Sequence, residues 1–198
     1  MEYIDSWKNK NVFIKQLDLN KKELDGSYPS HWNSFIKIIS SLNENIKLLD
    51  IGCGVGSYLE LCKRHCSNVN YTGIDYSEDA ISIAKDCWNY HNFFTMNFYN
   101  IDEDFISDFD MIHLGALLDV LPNGNDALDF LLKLNVKYVF ISRIEISYKS
   151  GYDVYTAYDE IKTYKFQHGQ SEISKIINQN GYQLVAVENN NILLKKNI

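Results

Sequence analysis

A glycine-rich turn follows a short apolar run, and its spacing suits the binding of a nucleoside. The run Leu48–Ile51 leads into Gly52, Gly54 and Gly56, and Asp75 follows 19 residues after Gly56 at the end of a second apolar run. Glycine lets the backbone pass close to a ligand where a Cβ would collide, and the helix that begins after the turn offers free N–H groups. An acid placed like Asp75 accepts both hydroxyls of a ribose. Loop, spacing and acid together predict a nucleoside-binding βαβ unit.

The glycine spacing separates this turn from other nucleotide-binding loops. A dinucleotide fingerprint has its third glycine three positions after the second, where this chain has Ser57, and the sequence contains no Gly-x4-Gly-Lys-[Ser/Thr] phosphate loop. The pattern Asp-x-Gly-x-Gly-x-Gly over residues 50–56, the acid Asp75 and the segment Phe109–Leu114 resemble the class I methyltransferases that use S-adenosylmethionine. The resemblance implies S-adenosyl-L-methionine as the cofactor.

The same resemblance implies a role for each motif residue. In that family the glycine loop, which here includes Cys53, underlies the methionine part of the cofactor. An acid like Asp75 holds the ribose, and an acid like Asp50 helps to orient the amino-acid end. Cys53 is therefore interpreted as a small loop residue and not as a nucleophile.

Further cofactor contacts are predicted at the carboxyl ends of the other strands, where open α/β sheets bind their ligands. Tyr76 packs against the adenine or ribose, or it is a surface tyrosine that caps the next helix. Related enzymes often place an Asp after the third strand to bond the adenine amino group. Here Asn97-Phe98 occupies that place, and the Asn97 carbonyl can accept such a bond. Asn100 and Asp102 are the alternative residues for this position. Leu114 ends the fourth predicted strand at the same edge.

Three residues are predicted to serve catalysis at the acceptor side: Asp119, Arg143 and Glu145. Methyl transfer from a sulfonium is an in-line displacement, so alignment and exclusion of water supply much of the acceleration. A base matters mainly when the acceptor is a hydroxyl or a protonated amine. Asp119 follows the fourth strand, and Arg143 can hold an anionic acceptor by paired hydrogen bonds. Alternatively, Asp119 is a helix-surface carboxylate, and Arg143 and Glu145 form salt bridges with Lys149 or Asp153.

Two histidines and a cysteine pair have simpler interpretations. His113 lies inside the fourth predicted strand, where inward packing competes with catalysis, and His168 is either catalytic or simply the residue before a helix. Cys62 and Cys66 fall on one helix face, but a zinc site needs more ligands and no Cys-x2-Cys pair exists in the sequence. Reduced, buried thiols and no metal site are expected.

Apolar runs alternate with amphipathic segments along most of the chain, which predicts an α/β fold. The expected architecture is a three-layer Rossmann-like sandwich with a mostly parallel seven-stranded sheet and a C-terminal antiparallel hairpin. The five central strands are predicted at residues 46–51, 69–75, 93–97, 109–114 and 138–142, and the hairpin at 183–187 and 192–195. The main helices are predicted to begin at Pro29, at Ser57, after an N-cap at Ser77, after Gly124 and at Ser171.

A single domain over residues 1–198 is predicted, with four regions. Residues 1–45 form an N-terminal arm and a helix that cover the site, and the first 28 of these are either a loosely packed arm or short helices. Residues 46–143 form the cofactor-binding core, and residues 169–198 the terminal helix and hairpin. Residues 144–168 contain five tyrosines with little periodicity, and we expect them to form a lid over the acceptor.

Composition narrows the class of acceptor. The formal net charge of −7 argues against a polyanion held by a broad basic surface. No Asn/Asp-Pro-Pro-Tyr/Phe motif follows the fourth predicted strand, so methylation of DNA bases is not expected. A small-molecule acceptor is predicted, with no DNA partner. The sequence has no run of 18 apolar residues and no recognisable secretory signal, so a cytoplasmic protein without a membrane partner is expected, with a homodimer as the candidate oligomer.

A closer resemblance suggests the acceptor. Trp7, Gln16, His31-Trp32, the run at 71–77 and Arg143 look like small bacterial methyltransferases found with surface-polysaccharide biosynthesis. This implies a sugar nucleotide or another phosphorylated capsule precursor as acceptor. The alternatives are a protein or RNA methyltransferase and a non-catalytic cofactor-binding partner subunit. A nicotinamide-dependent dehydrogenase is disfavoured by the glycine spacing.

Overall fold

The computed structural model describes residue 3 and residues 5–197; residues 1, 2, 4 and 198, at the ends of the predicted N-terminal and C-terminal regions, lie outside it. The strands are β1 (Ile46–Ile51), β2 (Val69–Asp75), β3 (Phe93–Thr95), β4 (Met111–Gly115), β5 (Tyr138–Ser142), β6 (Ile146–Ser147), β7 (Gly151–Ala157), β8 (Ile161–Gly169), β9 (Tyr182–Glu188) and β10 (Asn191–Lys196). The helices are α1 (Lys10–Asp25), α2 (Ser30–Ser40), α3 (Ser57–His65), α4 (Glu78–Trp88), α5 (Glu103–Ile106), α6 (Gly124–Leu132) and α7 (Gln170–Gln179).

The main sheet has seven strands in the order β3-β2-β1-β4-β5-β10-β9. Strands β1 to β5 are parallel, and β10 runs antiparallel to both β5 and β9. One apolar cluster packs residues of α2, α3 and α4 on one face, and a second packs residues of α6 and α7 on the other. The predicted three-layer sandwich with a terminal hairpin is confirmed.

The predicted central strands agree with the structure except at one end of β3 and at both ends of β4, which ends at Gly115 instead of residue 114. Strands β1, β2 and β5 have the predicted bounds. Strand β3 stops at Thr95 instead of residue 97, because the Asn97 side chain accepts a hydrogen bond from Tyr99 N at 3.1 Å and starts a short 3-10 turn. Strand β4 begins at Met111 instead of residue 109, since Phe109 N donates to Ile106 O at the end of α5.

The N-terminal region contains one 16-residue helix, α1, which lies against two other parts of the molecule. Its buried Val12 packs with Ala157 and Ile161 at the end of the β7–β8 hairpin. Its buried Phe13 packs with Val55 beside the glycine turn. Helix α1 therefore joins the glycine turn to the region after β5.

The region after β5 folds into a second, three-stranded sheet in the order β6-β8-β7. The sequence analysis assigned no strands to residues 144–168. Strand β7 exposes six of its seven residues, so it lacks the alternation that reveals a half-buried strand. Tyr158 and Asp159 turn the hairpin with φ of 55° and 56°. None of the described helices is long and apolar enough to cross a membrane.

Candidate functional site

The glycine turn after β1 is a tight cradle. Gly52, Gly54 and Gly56 all have left-handed φ angles, of 72°, 54° and 76°. A Cβ on Gly54 would lie 2.8 Å from Oε1 of Gln16, and one on Gly56 would lie 2.4 Å from the Phe93 ring. Both the backbone conformation and the close neighbours therefore require glycine here. Gly56 directly precedes α3 and packs on the core side, away from the cavities described below.

Asp75 at the end of β2 holds this turn in place. Its Oδ2 accepts a hydrogen bond from Gly54 N at 2.9 Å, and its Oδ1 accepts one from Ser77 N at 2.9 Å. Burial raises the pKa of the Asp75 carboxyl to about 6, and the backbone N–H donors act in the opposite direction. Each carboxylate oxygen retains lone-pair capacity, and the residue lines a cavity. Asp75 can therefore accept hydrogen bonds from ligand hydroxyls.

A cavity of about 420 Å³ lies over the carboxyl ends of the central strands. It is roofed by α1 and by the end of β7, through residues such as Phe13, Gln16 and Tyr155. Six of the predicted cofactor residues line it: Gly52, Gly54, Asp75, Tyr76, Asn97 and Phe98. These six residues, which the sequence predicted to lie at one site, are thus together in the structure.

Tyr76 and Asn97 are both partly engaged by the protein. Burial, followed by the charge of Asp75, raises the pKa of the Tyr76 phenol, and Lys8 lies 5.4 Å from the centre of its ring. Tyr76 is thus covered by the N-terminal segment and is not an open surface residue. Asn97 Oδ1 accepts from Tyr99 N, which leaves one of its lone pairs and its amide group for a ligand.

Asp50 lies in a buried polar network, where both of its oxygens have partners. Its Oδ2 accepts from the Tyr71 hydroxyl at 2.6 Å, and its Oδ1 lies 2.7 Å from Nδ1 of His113. His113 Nε2 lies 2.9 Å from Oγ of Ser142. Asp50 is 1% exposed and His113 fully buried. His113 thus packs inward, which is the first of the two interpretations of this residue. Asp50 can reach a ligand only at the edge of a small neighbouring cavity.

A second, small cavity of about 130 Å³ adjoins the first beside the glycine turn. Asp50 and Cys53 line it, together with Asn20 and Glu23 of α1. Burial raises the pKa of the Cys53 thiol, which argues against a thiolate nucleophile. Among the predicted cofactor residues, Leu114 is fully buried in the apolar core beside α6, and neither Leu114 nor Gly56 lines these cavities within the described residues.

Gln16 is a contact that the sequence analysis did not identify as a site residue. It lines both cavities, and its Oε1 is buried without a hydrogen-bond partner among the described residues. Its side chain hydrogen-bonds to Tyr158. The only sequence signal was its part in the closer resemblance, since a glutamine on a polar helix has no distinctive pattern of its own.

Arg143 follows β5 and lines all three cavities of the site. Its φ is 62°, an unusual conformation for a residue with a side chain, and its N–H donates to Oδ1 of Asn191 at 3.1 Å. The turn of the terminal hairpin thus fixes the backbone of Arg143. Such strain clusters at functional sites.

The two predicted acids lie near Arg143 but have different partners. Asp119 Oδ2 is 3.8 Å from Nη2 of Arg143, whereas Asp119 Oδ1 is buried and unpartnered within the described part of the chain. Burial raises the pKa of Asp119, and Arg143 opposes this shift. Glu145 forms an ion pair with Lys165 at 3.2 Å. The alternative partners Lys149 and Asp153 were therefore wrong, and Asp119 lies partly buried in a short 3-10 turn over Leu118–Val120.

An outer cavity of about 340 Å³ contains Asp119, Arg143 and Glu145 together with His31. The sequence analysis assigned no role to His31. By contrast, His168 is fully buried near the end of β8, with Gly169 between it and α7, and its Nδ1 lies 2.6 Å from Oδ1 of Asn125. The interpretation of His168 as the residue before a helix is the one that the structure supports.

Residues 49–136 match the family model of a methyltransferase domain. No curated protein matches the chain. A solved S-adenosylmethionine-dependent methyltransferase from Clostridium acetobutylicum is 13% identical with a TM-score of 0.65, over 94% of this chain and 99% of that one.

Two further solved structures are similar in fold. One is magnesium protoporphyrin IX methyltransferase from Synechocystis with bound S-adenosylmethionine, which is 15% identical with a TM-score of 0.60 over 93% of this chain and 84% of that one. The other is a methyltransferase from Methanosarcina mazei, 17% identical with a TM-score of 0.63 over 81% and 96%. These likenesses establish the fold, and the matched family model covers the glycine turn, Asp75 and β4.

Proposed function

We propose that the chain is a class I methyltransferase that uses S-adenosylmethionine, and that it methylates an oxygen or nitrogen of a small polar acceptor. The observation that carries the proposal is the arrangement of three adjoining cavities, the first two of which α1 covers. These two contain eight of the ten predicted cofactor residues, and the third contains Asp119, Arg143 and Glu145. The acceptor would approach from the third cavity, past Arg143.

The residues of the first two cavities fit the cofactor. In our proposal the ribose hydroxyls bind to Asp75, and the methionine end lies over the glycine turn near Gln16, whose orphaned Oε1 needs a hydrogen-bond donor such as an ammonium group. A Cβ at Gly54 would obstruct this space. When bound, the cofactor supplies an electrophilic methyl group on a positively charged sulfur.

The protein's own groups align the reaction and exclude water. Helix α1 and the end of β7 cover the first cavity, which keeps bulk water away from the cofactor. Arg143 can donate hydrogen bonds to the acceptor, and the free Oδ1 of Asp119 can accept one from it. A donor beside an acceptor suits a hydroxyl-rich group such as a sugar. We therefore place the acceptor in the outer cavity, beside Asp119 and Arg143.

A sugar nucleotide or a related phosphorylated precursor is the specific acceptor that we propose to test first. The closer resemblance suggests it, and Arg143 is the one Lys or Arg side chain that lines the three cavities in the described part of the chain. The roofed cavities and the net charge of −7 favour a small acceptor over RNA or a protein. Cytoplasmic location and a homodimer remain predictions, which cell fractionation and light scattering would measure.

The test combines binding with an acceptor screen. Calorimetry with S-adenosylhomocysteine should show binding, and labelled S-adenosylmethionine should transfer its methyl group to members of a panel of free sugars, sugar phosphates and nucleotide sugars. RNA and peptide acceptors serve as the comparison. Binding without transfer to the panel, together with labelling of RNA or peptides, would contradict a small acceptor.

A further inference from the structure

His31 lies in the first turn of α2, in the wall between the small cavity and the outer cavity. Only His31 and Arg143 line both of these cavities within the described residues. The small cavity also contains Gly52 of the glycine turn, and the outer one contains Asp119. A side chain in this wall therefore faces the cofactor side and the acceptor side at once.

The His31 ring is half-buried and uncharged at neutral pH. Burial, followed by the charges of Arg143 and His113, lowers the pKa of His31 to about 4. No hydrogen bond to the ring is present among the described residues, and its packing partner is Trp32, with ring centres 6.1 Å apart. A neutral imidazole in this wall has a free lone pair for an acceptor proton.

Charged groups surround His31 from several elements. The carboxylates that share its cavities are Glu23 of α1, Asp50 of β1, Asp119 and Glu145. Burial raises the pKa of the Tyr58 and Tyr158 phenols and of the Cys53 thiol, so these stay neutral. Burial and the charges of Arg143 and His113 lower the pKa of His31, so the ring keeps its neutral form beside these four carboxylates.

We propose that His31 accepts the proton that an acceptor hydroxyl loses when it is methylated, an inference that rests on the proposed function. The acceptor oxygen forms a bond to the methyl carbon while the carbon–sulfur bond breaks and sulfur keeps the electron pair. The hydroxyl proton passes to a ring nitrogen of His31 and then to water in the outer cavity.

The environment of His31 selects the class of acceptor. An oxygen that carries both a proton and a new methyl group is a much stronger acid than an imidazolium, so even a weakly basic His31 removes its proton. An ammonium acceptor, with a pKa of about 10, would keep its proton against so weak a base. The acceptor atom is therefore an oxygen.

His31→Asn is the main test, and His91→Asn on the exposed surface is its matched control. With a hydroxyl acceptor from the panel, His31→Asn should lower kcat by about 100-fold to 10,000-fold and leave the affinity for S-adenosylhomocysteine unchanged. The control should change neither. An unchanged kcat, or an affinity loss as large as the rate loss, would overturn the proposal, the latter making His31 a cofactor ligand.

A second measurement needs no acceptor. NMR titration of the histidine rings in the S-adenosylhomocysteine complex should give His31 a pKa far below the ordinary histidine value, and an ordinary or raised value overturns the proposal. If S-adenosylhomocysteine binds but no panel member is methylated, the small-acceptor proposal fails while the titration still decides the state of His31. Methylation of amines alone would also contradict the role of His31.

Discussion

The Asp75 carboxylate accepts hydrogen bonds from two backbone N–H groups. It fixes the glycine turn through Gly54 N and the start of α4 through Ser77 N, and it faces the large cavity. Because burial raises its pKa to about 6, its charge is easily lost in mild acid. Ribose hydroxyls donate to the ionised form, so cofactor binding and ionisation of Asp75 should be coupled.

The coupling predicts a pH-dependent affinity for S-adenosylhomocysteine. Below about pH 6, affinity should fall toward tenfold per pH unit as Asp75 takes up a proton. Asp75→Asn should remove this dependence, and Asp75→Ala should weaken binding by about 1–3 kcal/mol. Calorimetry from mildly acidic to neutral pH measures both, with the exposed Asp86→Asn as the control. An affinity independent of pH in the wild type would show that the ribose does not bind to Asp75.

At the scale of elements, α1 connects the cofactor side to the second sheet. Asn20 Nδ2 of α1 donates to Oγ of Ser57 at 2.7 Å, at the start of α3. About two turns further back in the helix, Val12 packs with Ala157 and Ile161. The roof of the site thus depends on apolar contacts at one end of α1 and on polar contacts along its middle.

Val12→Ala should therefore weaken both folding and binding. The loss of two buried methyl groups should lower the free energy of unfolding by about 1–2 kcal/mol, and a looser α1 should reduce the affinity for S-adenosylhomocysteine. The control is Ile14→Ala, because Ile14 lies on the same helix and is 45% exposed. Urea unfolding with and without S-adenosylhomocysteine gives both quantities. Equal effects of the two variants would contradict the role assigned to Val12.

The central strands and the terminal hairpin could be predicted because they are apolar runs bounded by turn residues. Six of the predicted cofactor residues line the first cavity, since strand ends and glycine spacing locate such residues without knowledge of side-chain contacts. Helix α1 was left open because it buries few residues, chiefly Val12, Phe13 and Leu24. The Asp50–His113 pair and the position of His31 were out of reach, because they depend on strand register and on the meeting of distant elements.

At the scale of the whole molecule, buried histidines should make the fold sensitive to acid. His168 is fully buried, and burial lowers its pKa to about 4, well below the unfolded value. The unfolded chain then binds more protons between these values, so stability falls as pH falls through this range. Asp75, with a raised pKa, acts in the opposite direction.

Between neutral pH and about pH 5, His168 should remove about 2 kcal/mol of stability. Urea midpoints at the two pH values measure the difference. His168→Asn should show a smaller difference between them, whatever its stability at neutral pH, and the surface variant His91→Asn should behave like the wild type. An equal pH difference in His168→Asn and in the wild type would contradict this.

The buried network around Asp50 has a consequence for how the chain finds its correct sheet. In the native register Asp50 lies opposite His113 on β4, with Ile112 and Leu114 as the neighbouring residues. A slip of one residue between β1 and β4 would put the carboxylate beside an isoleucine or a leucine and leave its buried Oδ1 without a partner. A sheet with a shifted register is therefore strongly disfavoured, and the network helps to specify the native pairing of β1 with β4.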